Sequence, residues 1–423
     1  MKAIIAKSNI GGVITTPPSK SYTIRALLAA ALASGQSRIF NPLVADDTEA
    51  AAEVLTQLGA GIKRQTDCWE VTGGNLAPPS SPHQKLNCRQ SAATLRFLAP
   101  ICAALQGTSC ITFAPGLARR PMTPLFDIFQ QLGVRSELTE NSLNIHGTGG
   151  QFKSNEVSLP GNISSQFISG ILMATPLASE GLTIHLTTPA ESKNYLRMTI
   201  DCLQRFGINV EYDDNLEEFR VEHQAYQPTD YIVEGDWSSA SYFLGMGALS
   251  GPVTVTGLNA DSFQADRFML NCLRRMGAEV IINGDSVTVN SSPLRKTDTG
   301  LNEAIDLLPS VACLAGVSAG ESVITGLDRA RLKESDRVTA VADNLKQMGI
   351  KVIEESDRLT ITGGTPRGAV IDSFDDHRIA MAFAMLAAIC GDTVIEGAEC
   401  VNKTYPDFWE DFQKVGGKVS INE

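Results

Sequence analysis

The sequence predicts an α/β protein of two lobes, each built from three copies of a small subdomain with a buried helix at its centre. Three observations predict it. A helix ending in an apolar residue plus glycine, followed by two short strands, recurs six times along 423 residues. The helix-ending glycines stand at 59, 133, 207, 277, 349 and 416, so the period holds near 70 over the whole chain. Each repeat also carries a second helix of Ala, Leu, Met and Gly with almost no charge, which demands burial on every side.

The outer helices end in Gln57-Leu58-Gly59, Gln131-Leu132-Gly133, Arg205-Phe206-Gly207, Arg275-Met276-Gly277, Gln347-Met348-Gly349 and Lys414-Val415-Gly416. Glycine there suits a left-handed helix stop. Strands follow them, as at Ile62-Lys63-Arg64 and Trp69-Glu70-Val71. The inner helices are expected to start at Ser21, Ser91, Ser164, Ser238, Ile305-Asp306 and Asp376-His377. Strands such as Leu182–Leu186 and Thr393-Val394-Ile395 follow those. The best internal break lies near His223 to Pro228, which divides the chain into residues 16–228 and residues 1–15 with 229–423. The fourth repeat is then expected to begin with Tyr231-Ile232-Val233. The strand Lys2 to Ala6 has no sheet in its own repeat and is expected to complete that of the last repeat.

Composition narrows the function. Hydrophobic residues at 43% and charged residues at 19% are ordinary for a globular protein, and no apolar run reaches the length of a membrane span. The N-terminus lacks the long apolar core of a signal peptide, so a cytoplasmic protein is expected. Nine scattered cysteines without a CxxC suggest neither a disulfide framework nor a zinc site. A net charge of −12 argues against nucleic acid as a partner but leaves small anions open, because a pocket can oppose the overall charge.

Polar residues collect at the inner-helix starts. Pro17-Pro18-Ser19-Lys20-Ser21 precedes an Ala- and Leu-rich helix, with Ser19 or Ser21 as cap, Gly35 as stop, and Arg25 one turn after Ser21. Taken alone this is also a capped core helix with two solvated cations. Ser164-Ser165-Gln166, Trp237-Ser238-Ser239 and Asp376-His377-Arg378 stand at comparable places. Converging helix N-termini favour phosphate or carboxylate. Further cations lie in Arg119-Arg120-Pro121, in Lys333-Glu334-Ser335-Asp336-Arg337 and at Lys403. Asp306 is either an N-cap or, with Glu334, one of two acids among cations, which suits proton transfer on an anionic substrate.

The segments Pro18-Ser19-Lys20-Ser21, Arg120-Pro121, Asn162-Ile163-Ser164-Ser165-Gln166-Phe167, Lys333 to Arg337, Asp376-His377-Arg378 and Lys403-Thr404-Tyr405-Pro406-Asp407-Phe408 carry a closer message. In their order and over the whole chain, they resemble the signatures of the 5-enolpyruvylshikimate-3-phosphate (EPSP) synthases. The resemblance implies the enolpyruvyl-transferase-like fold, two lobes of three βαβαββ subdomains around a cleft, and transfer of enolpyruvate from phosphoenolpyruvate to the 5-hydroxyl of shikimate 3-phosphate. It implies that Lys20, Ser21, Arg25, Ser164, Ser165, Gln166, Ser192, Tyr195, Asp306 and Lys333 hold shikimate 3-phosphate, mainly on the 16–228 side. Phosphoenolpyruvate would meet Lys20, Ala92, Arg120, Gln166, Arg337, Arg378 and Lys403. Asp306 would be the base at the hydroxyl, with Glu334 and Lys20 serving the C3 proton and the leaving phosphate. No metal or organic cofactor is implied, and a monomer whose lobes close on the ligands is the default expectation.

One segment departs from the family. Where the family reads Asp-Cys-Gly-Asn-Ser-Gly-Thr-Thr-x-x-Arg or similar, this chain has Asn87-Cys88-Arg89-Gln90-Ser91-Ala92-Ala93-Thr94-Leu95-Arg96. A methyl at Ala92 should crowd the phosphoenolpyruvate pocket, and weak inhibition by glyphosate is expected. Arg89 is expected, alternatively, to supply a cation that offsets lost backbone contacts. Two rival readings stand beside this one. The sister transferases acting on UDP-N-acetylglucosamine carry a reactive Cys before an Arg-Pro, whereas Ala114 to Pro121 here has none. A non-catalytic phosphometabolite-binding protein would not need Lys20, Asp306, Glu334, Arg337, Arg378 and Lys403 together.

Overall fold

Six four-stranded sheets, six outer helices and six inner helices realise the repeat, in a computed structural model that describes residues 1–80 and 84–422. The second repeat shows the pattern. Leu86–Asn87 leads to the inner helix Ala92–Ala104 and the strand Gln106–Thr112, which pairs parallel with it. The outer helix Thr123–Leu132 follows, and the hairpin Arg135–Leu138 and Ser142–Thr148 completes the sheet antiparallel. All six glycines that close the outer helices have positive φ, from 70° to 109°. A side chain there would be strained, which explains why the period is written in glycine.

The inner helices are buried all round. In Lys20–Leu32 every residue from Tyr22 onward is buried, and so is every residue of Leu308–Ala315. The first leading strands are two to four residues long, as at Gly12–Thr15, Leu86–Asn87 and Val370–Asp372, too short for a periodic signal in the sequence.

The chain divides into two units, Pro18–Val233 and Met1–Pro17 with Glu234–Glu423. Lys2–Ala6 lies in the last repeat's sheet as expected, between Thr393–Glu396 and Lys418–Asn422. Two strands exchange places relative to their neighbours in sequence. Asp230–Ile232, assigned to the fourth repeat, instead pairs parallel with Gly35–Phe40 of the first. Its place beside Val253–Thr256 is taken by Gly12–Thr15. A leading strand contributes only its backbone ladder, so either segment fits either sheet by local pattern. The connection decides.

Helix starts are corrected by a residue or two. Ser19 occupies the first N-cap but makes no cap hydrogen bond, and the helix ends at Leu32 before Gly35 opens a strand. Asp306 sits in the short 3-10 turn Ile305–Leu307 ahead of the helix, so it is not the cap. The cysteines are free, and burial pushes the thiols of Cys102 and Cys202 up to about 12, as inert core residues. Among the described residues, no helix is long and apolar enough to cross a membrane.

Candidate functional site

In the Pro18–Val233 unit, Lys20 is the first residue of its helix. A cation at the positive end of a helix is locally unfavourable. It is held there by Asp47, only 3% exposed, whose Oδ2 lies 3.1 Å from the Lys20 Nζ. Asp47 belongs to the outer helix Asp46–Gln57, and its backbone carbonyl also accepts a long 3.5 Å bond from Thr94 Oγ1.

Arg25, one turn further, is 2% exposed. Its Nε donates to Thr199 Oγ1 at 2.8 Å, Nη1 to the Ser21 carbonyl at 2.9 Å and Nη2 to the Tyr195 carbonyl at 3.3 Å. The guanidinium also lies over the Phe97 ring, 4.9 Å from its centre. Burial pulls its pKa down from the usual value, opposed weakly by Cys202 and nearby tyrosines. Ser192 adopts φ of 56° just before the helix Lys193–Arg205 and accepts from the Tyr195 N–H. Ser21, Arg25, Ser192 and Tyr195 are therefore one cluster.

A second cluster forms around Arg96, the last residue of the segment that departs from the family. Ser164 caps the helix Ser165–Ala174, accepting from the Gln166 N–H at 3.3 Å. The Gln166 side chain and the Pro121 carbonyl both accept from Arg96, at 2.9 and 3.0 Å. Arg120 is half-buried beside that carbonyl.

The departing turn resolves against one expectation. Arg89 has φ of 50°, a conformation glycine adopts without strain, and its guanidinium pairs with Glu53 at 2.5 Å and Asp46 at 3.8 Å on the outer helix. It neutralises acids rather than supplying a free cation. Ala92 is buried at the first position of the inner helix behind the cap Ser91.

The other unit holds a charge cluster. Arg337 starts the helix Arg337–Gln347, capped by Asp336, and its side chain is 1% exposed. Four of its N–H groups are spent on three acids. Nε and Nη2 reach Asp376 at 2.7 and 3.2 Å, Nη1 reaches Asp306 at 2.7 Å, and Nη2 reaches Glu334 at 2.7 Å. Lys333 and Arg378 also touch Asp306, at 3.2 and 3.1 Å, and Lys403 touches Glu334 at 3.4 Å. Within Lys333-Glu334-Ser335-Asp336-Arg337 the arginine is thus buried rather than on the surface.

Asp376 is the acid that sequence reasoning passed over. It is fully buried and caps the last inner helix through the Arg378 N–H at 3.0 Å, while accepting from Ser335 at 3.0 Å and from Arg337 twice. Its place in Asp376-His377-Arg378 was visible; its second task was not. At Asp306 burial pushes the carboxyl up, but Arg378, Lys333 and Arg337 together outweigh it and hold it well below the usual carboxylate range. Asp306 is therefore ionised and able to accept a proton.

Asp266 is also buried. Ser238 Oγ donates to its Oδ2, while Oδ1 has no partner among the described residues. Burial pushes its carboxyl up to about 6, with Arg378 opposing and Asp306 adding to the rise. The folded state thus binds this proton more tightly than the unfolded chain, whose carboxyl titrates near 3.9. The resulting stability is present below about pH 4 and is lost as pH rises through about 6, a difference of about 3 kcal/mol. Asp266→Asn should therefore gain about that much relative to the parent protein between pH 4 and 7.5, measured by urea unfolding. A difference that does not change with pH would refute it.

Comparison with known proteins follows this geometry. A family model described as EPSP synthase (3-phosphoshikimate 1-carboxyvinyltransferase) matches residues 4–412. A relative of that name from Dehalococcoides mccartyi is 48% identical over 422 residues, covering 99% of both chains. Another, from Clostridium kluyveri, is 38% identical over 419 residues, covering 98% of this chain and 97% of its own. Among solved structures, an EPSP synthase from Acinetobacter baumannii matches with a TM-score of 0.83 at 26% identity, covering 99% of this chain and all of that one. The enolpyruvyl transferase NikO from Streptomyces tendae matches at 0.81 and 19% identity, a likeness of fold alone, covering 99% of this chain and 98% of that one.

Proposed function

The chain belongs to the EPSP synthase family, with the 3-phosphoshikimate 1-carboxyvinyltransferase activity of that family, and from this premise we propose how its residues divide the work. The single observation that supports the division best is the cluster around Arg337, where Asp306 is kept ionised beside three cations. In the addition, the 5-hydroxyl oxygen of shikimate 3-phosphate bonds to C2 of phosphoenolpyruvate, its proton passes to Asp306, and C3 takes a proton from Glu334 or Lys20. In the elimination, C3 returns a proton to the group that gave it, the bond from C2 to the phosphate oxygen breaks, and phosphate leaves with the proton that Asp306 had taken, which restores the base.

The cations also tune the base. While Lys333, Arg337 and Arg378 all touch Asp306, it is a weak proton acceptor. Substrate anions that draw Lys333 and Arg378 toward themselves raise its basicity when a proton must be taken. Among the described residues Arg337 keeps one uncommitted N–H, on Nη1, so its main task is to hold the three acids. Arg378 and Lys403 then carry more of the phosphoenolpyruvate charge than Arg337. In the other unit Arg25, Ser21, Ser164, Ser165, Ser192 and Tyr195 hold shikimate 3-phosphate, with Lys20, Arg120 and Gln166 facing phosphoenolpyruvate. Release of inorganic phosphate on mixing both substrates tests the reading; none from folded protein would sink it.

Ala92 supports a further proposal. Its methyl stands at the first turn of a helix N-terminus, where glycine lets an anion reach the backbone closely. Glyphosate should inhibit weakly, and Ala92→Gly should lower its inhibition constant about tenfold or more, the scale of about 1.4 kcal/mol. A submicromolar constant for the unaltered protein would refute this.

A further inference from the structure

Arg96 reaches two other segments of the Pro18–Val233 unit, the loop at Pro121 and the helix that carries Gln166 and Phe167. It is 5% exposed, within the inner helix Ala92–Ala104. Its Nη1 donates to Gln166 Oε1 at 2.9 Å and its Nη2 to the Pro121 carbonyl at 3.0 Å, while the guanidinium lies 4.6 Å from the centre of the Phe167 ring. The two inner helices meet closely enough for this because Gly170 faces Arg96. A Cβ on Gly170 would stand 2.2 Å from the Arg96 carbonyl oxygen.

An arginine only donates, so it dictates what its partner shows. With Oε1 turned to Arg96, the Gln166 amide must direct its Nε2–H2 away from the guanidinium. Gln166 is thereby presented as a hydrogen-bond donor, the polarity an anionic substrate needs. The same guanidinium holds the Pro121-Met122 peptide, one residue beyond Arg120. We propose that Arg96 is a positioning residue for enolpyruvyl transfer: it sets the Gln166 amide as a donor and fixes the Pro121 carbonyl beside Arg120, without touching substrate. The proposal rests on the reading above that Gln166 and Arg120 face phosphoenolpyruvate.

Kinetics of four purified proteins test it: the unaltered enzyme, Arg96→Lys, Gln166→Ala and the double variant, each also melted thermally. Lysine keeps the charge but cannot span both acceptors. Arg96→Lys should lower kcat/KM for phosphoenolpyruvate about 10- to 100-fold, mostly through KM, the loss expected when one or two hydrogen bonds fail. Added to Gln166→Ala it should cost clearly less than it does alone, because one of its two tasks acts through Gln166. Losses that multiply, or an Arg96→Lys enzyme within about threefold of the parent, would overturn the proposal.

Gln166→Glu keeps the test open if Arg96→Lys does not fold. A carboxylate should pair with Arg96 and melt at or above the parent temperature, yet raise KM for phosphoenolpyruvate about tenfold or more because an acceptor now faces the anion. An unchanged KM would overturn the proposal. If the unaltered protein releases no phosphate, the functional reading fails instead, so the two failures are distinct.

Discussion

Lys20→Met is expected to abolish turnover, by about 10³-fold or more, while both units stay folded. The helix that Lys20 begins is held by its buried Ala and Leu residues, and methionine is a good helix former. What the substitution removes is the one ion pair that Asp47 makes among the described residues, so that its carboxylate is left buried without that cation. A stability loss of about 1–3 kcal/mol should accompany the loss of activity. Asp47→Asn in the same protein should restore most of that stability and none of the turnover. Calorimetry and phosphate release measure the two effects separately. Lys20→Met retaining a tenth of the parent kcat would show that its charge takes no part in the chemistry.

Arg337→Met should show the largest effect on stability. The cluster sets Arg337, Arg378, Lys333 and Lys403 against Asp306, Glu334 and Asp376. Removing the central cation leaves Asp376 fully buried without its main partner and Asp306 and Glu334 without the group that separates them. Breaking a buried pair in this way costs about 3–5 kcal/mol, and turnover should vanish with it. Urea unfolding followed by tryptophan fluorescence is suited to the measurement, since Trp237 and Trp409 lie in the same unit as Arg337. Arg337→Lys keeps one charge but cannot serve three acids, and should fall between the two. An Arg337→Met protein within about 1 kcal/mol of the parent would mean that the cluster contributes nothing to the fold.

The same cluster has a defined acid limit. Asp306 titrates below its unfolded value near 3.9, so its contribution is present above that pH and lost as pH falls through the lower, folded value. Asp266 behaves oppositely, since its carboxyl is raised. The two acids share a unit but weaken it at different ends of the pH range.

Much of the site was legible in sequence because short polar segments stand where inner helices begin, and a helix start is local information. Ser164 as a cap and Asp376 ahead of Arg378 could be read from two or three neighbours each. Arg96 could not. Its value lies in Gln166, 70 residues away, and in Pro121, and its place at the end of the departing segment says nothing of either partner. Asp47 and Asp266 are the same case: each looks like an ordinary acid until packing shows what it faces. Arg89 is the converse, a cation that looked free until Glu53 and Asp46 came beside it.

The sequence by itself determined the repeat, because a left-handed helix stop favours glycine and a helix buried on all sides must be apolar; both are properties of single positions and short windows. Only the tertiary structure decided which leading strand joins which sheet, placing Gly12–Thr15 beside Val253–Thr256 and Asp230–Ile232 beside Gly35–Phe40. It alone decided, too, which charges face one another. Backbone ladders and ion pairs are made between residues far apart in the chain, and their energies depend on distance and burial, which no local pattern contains.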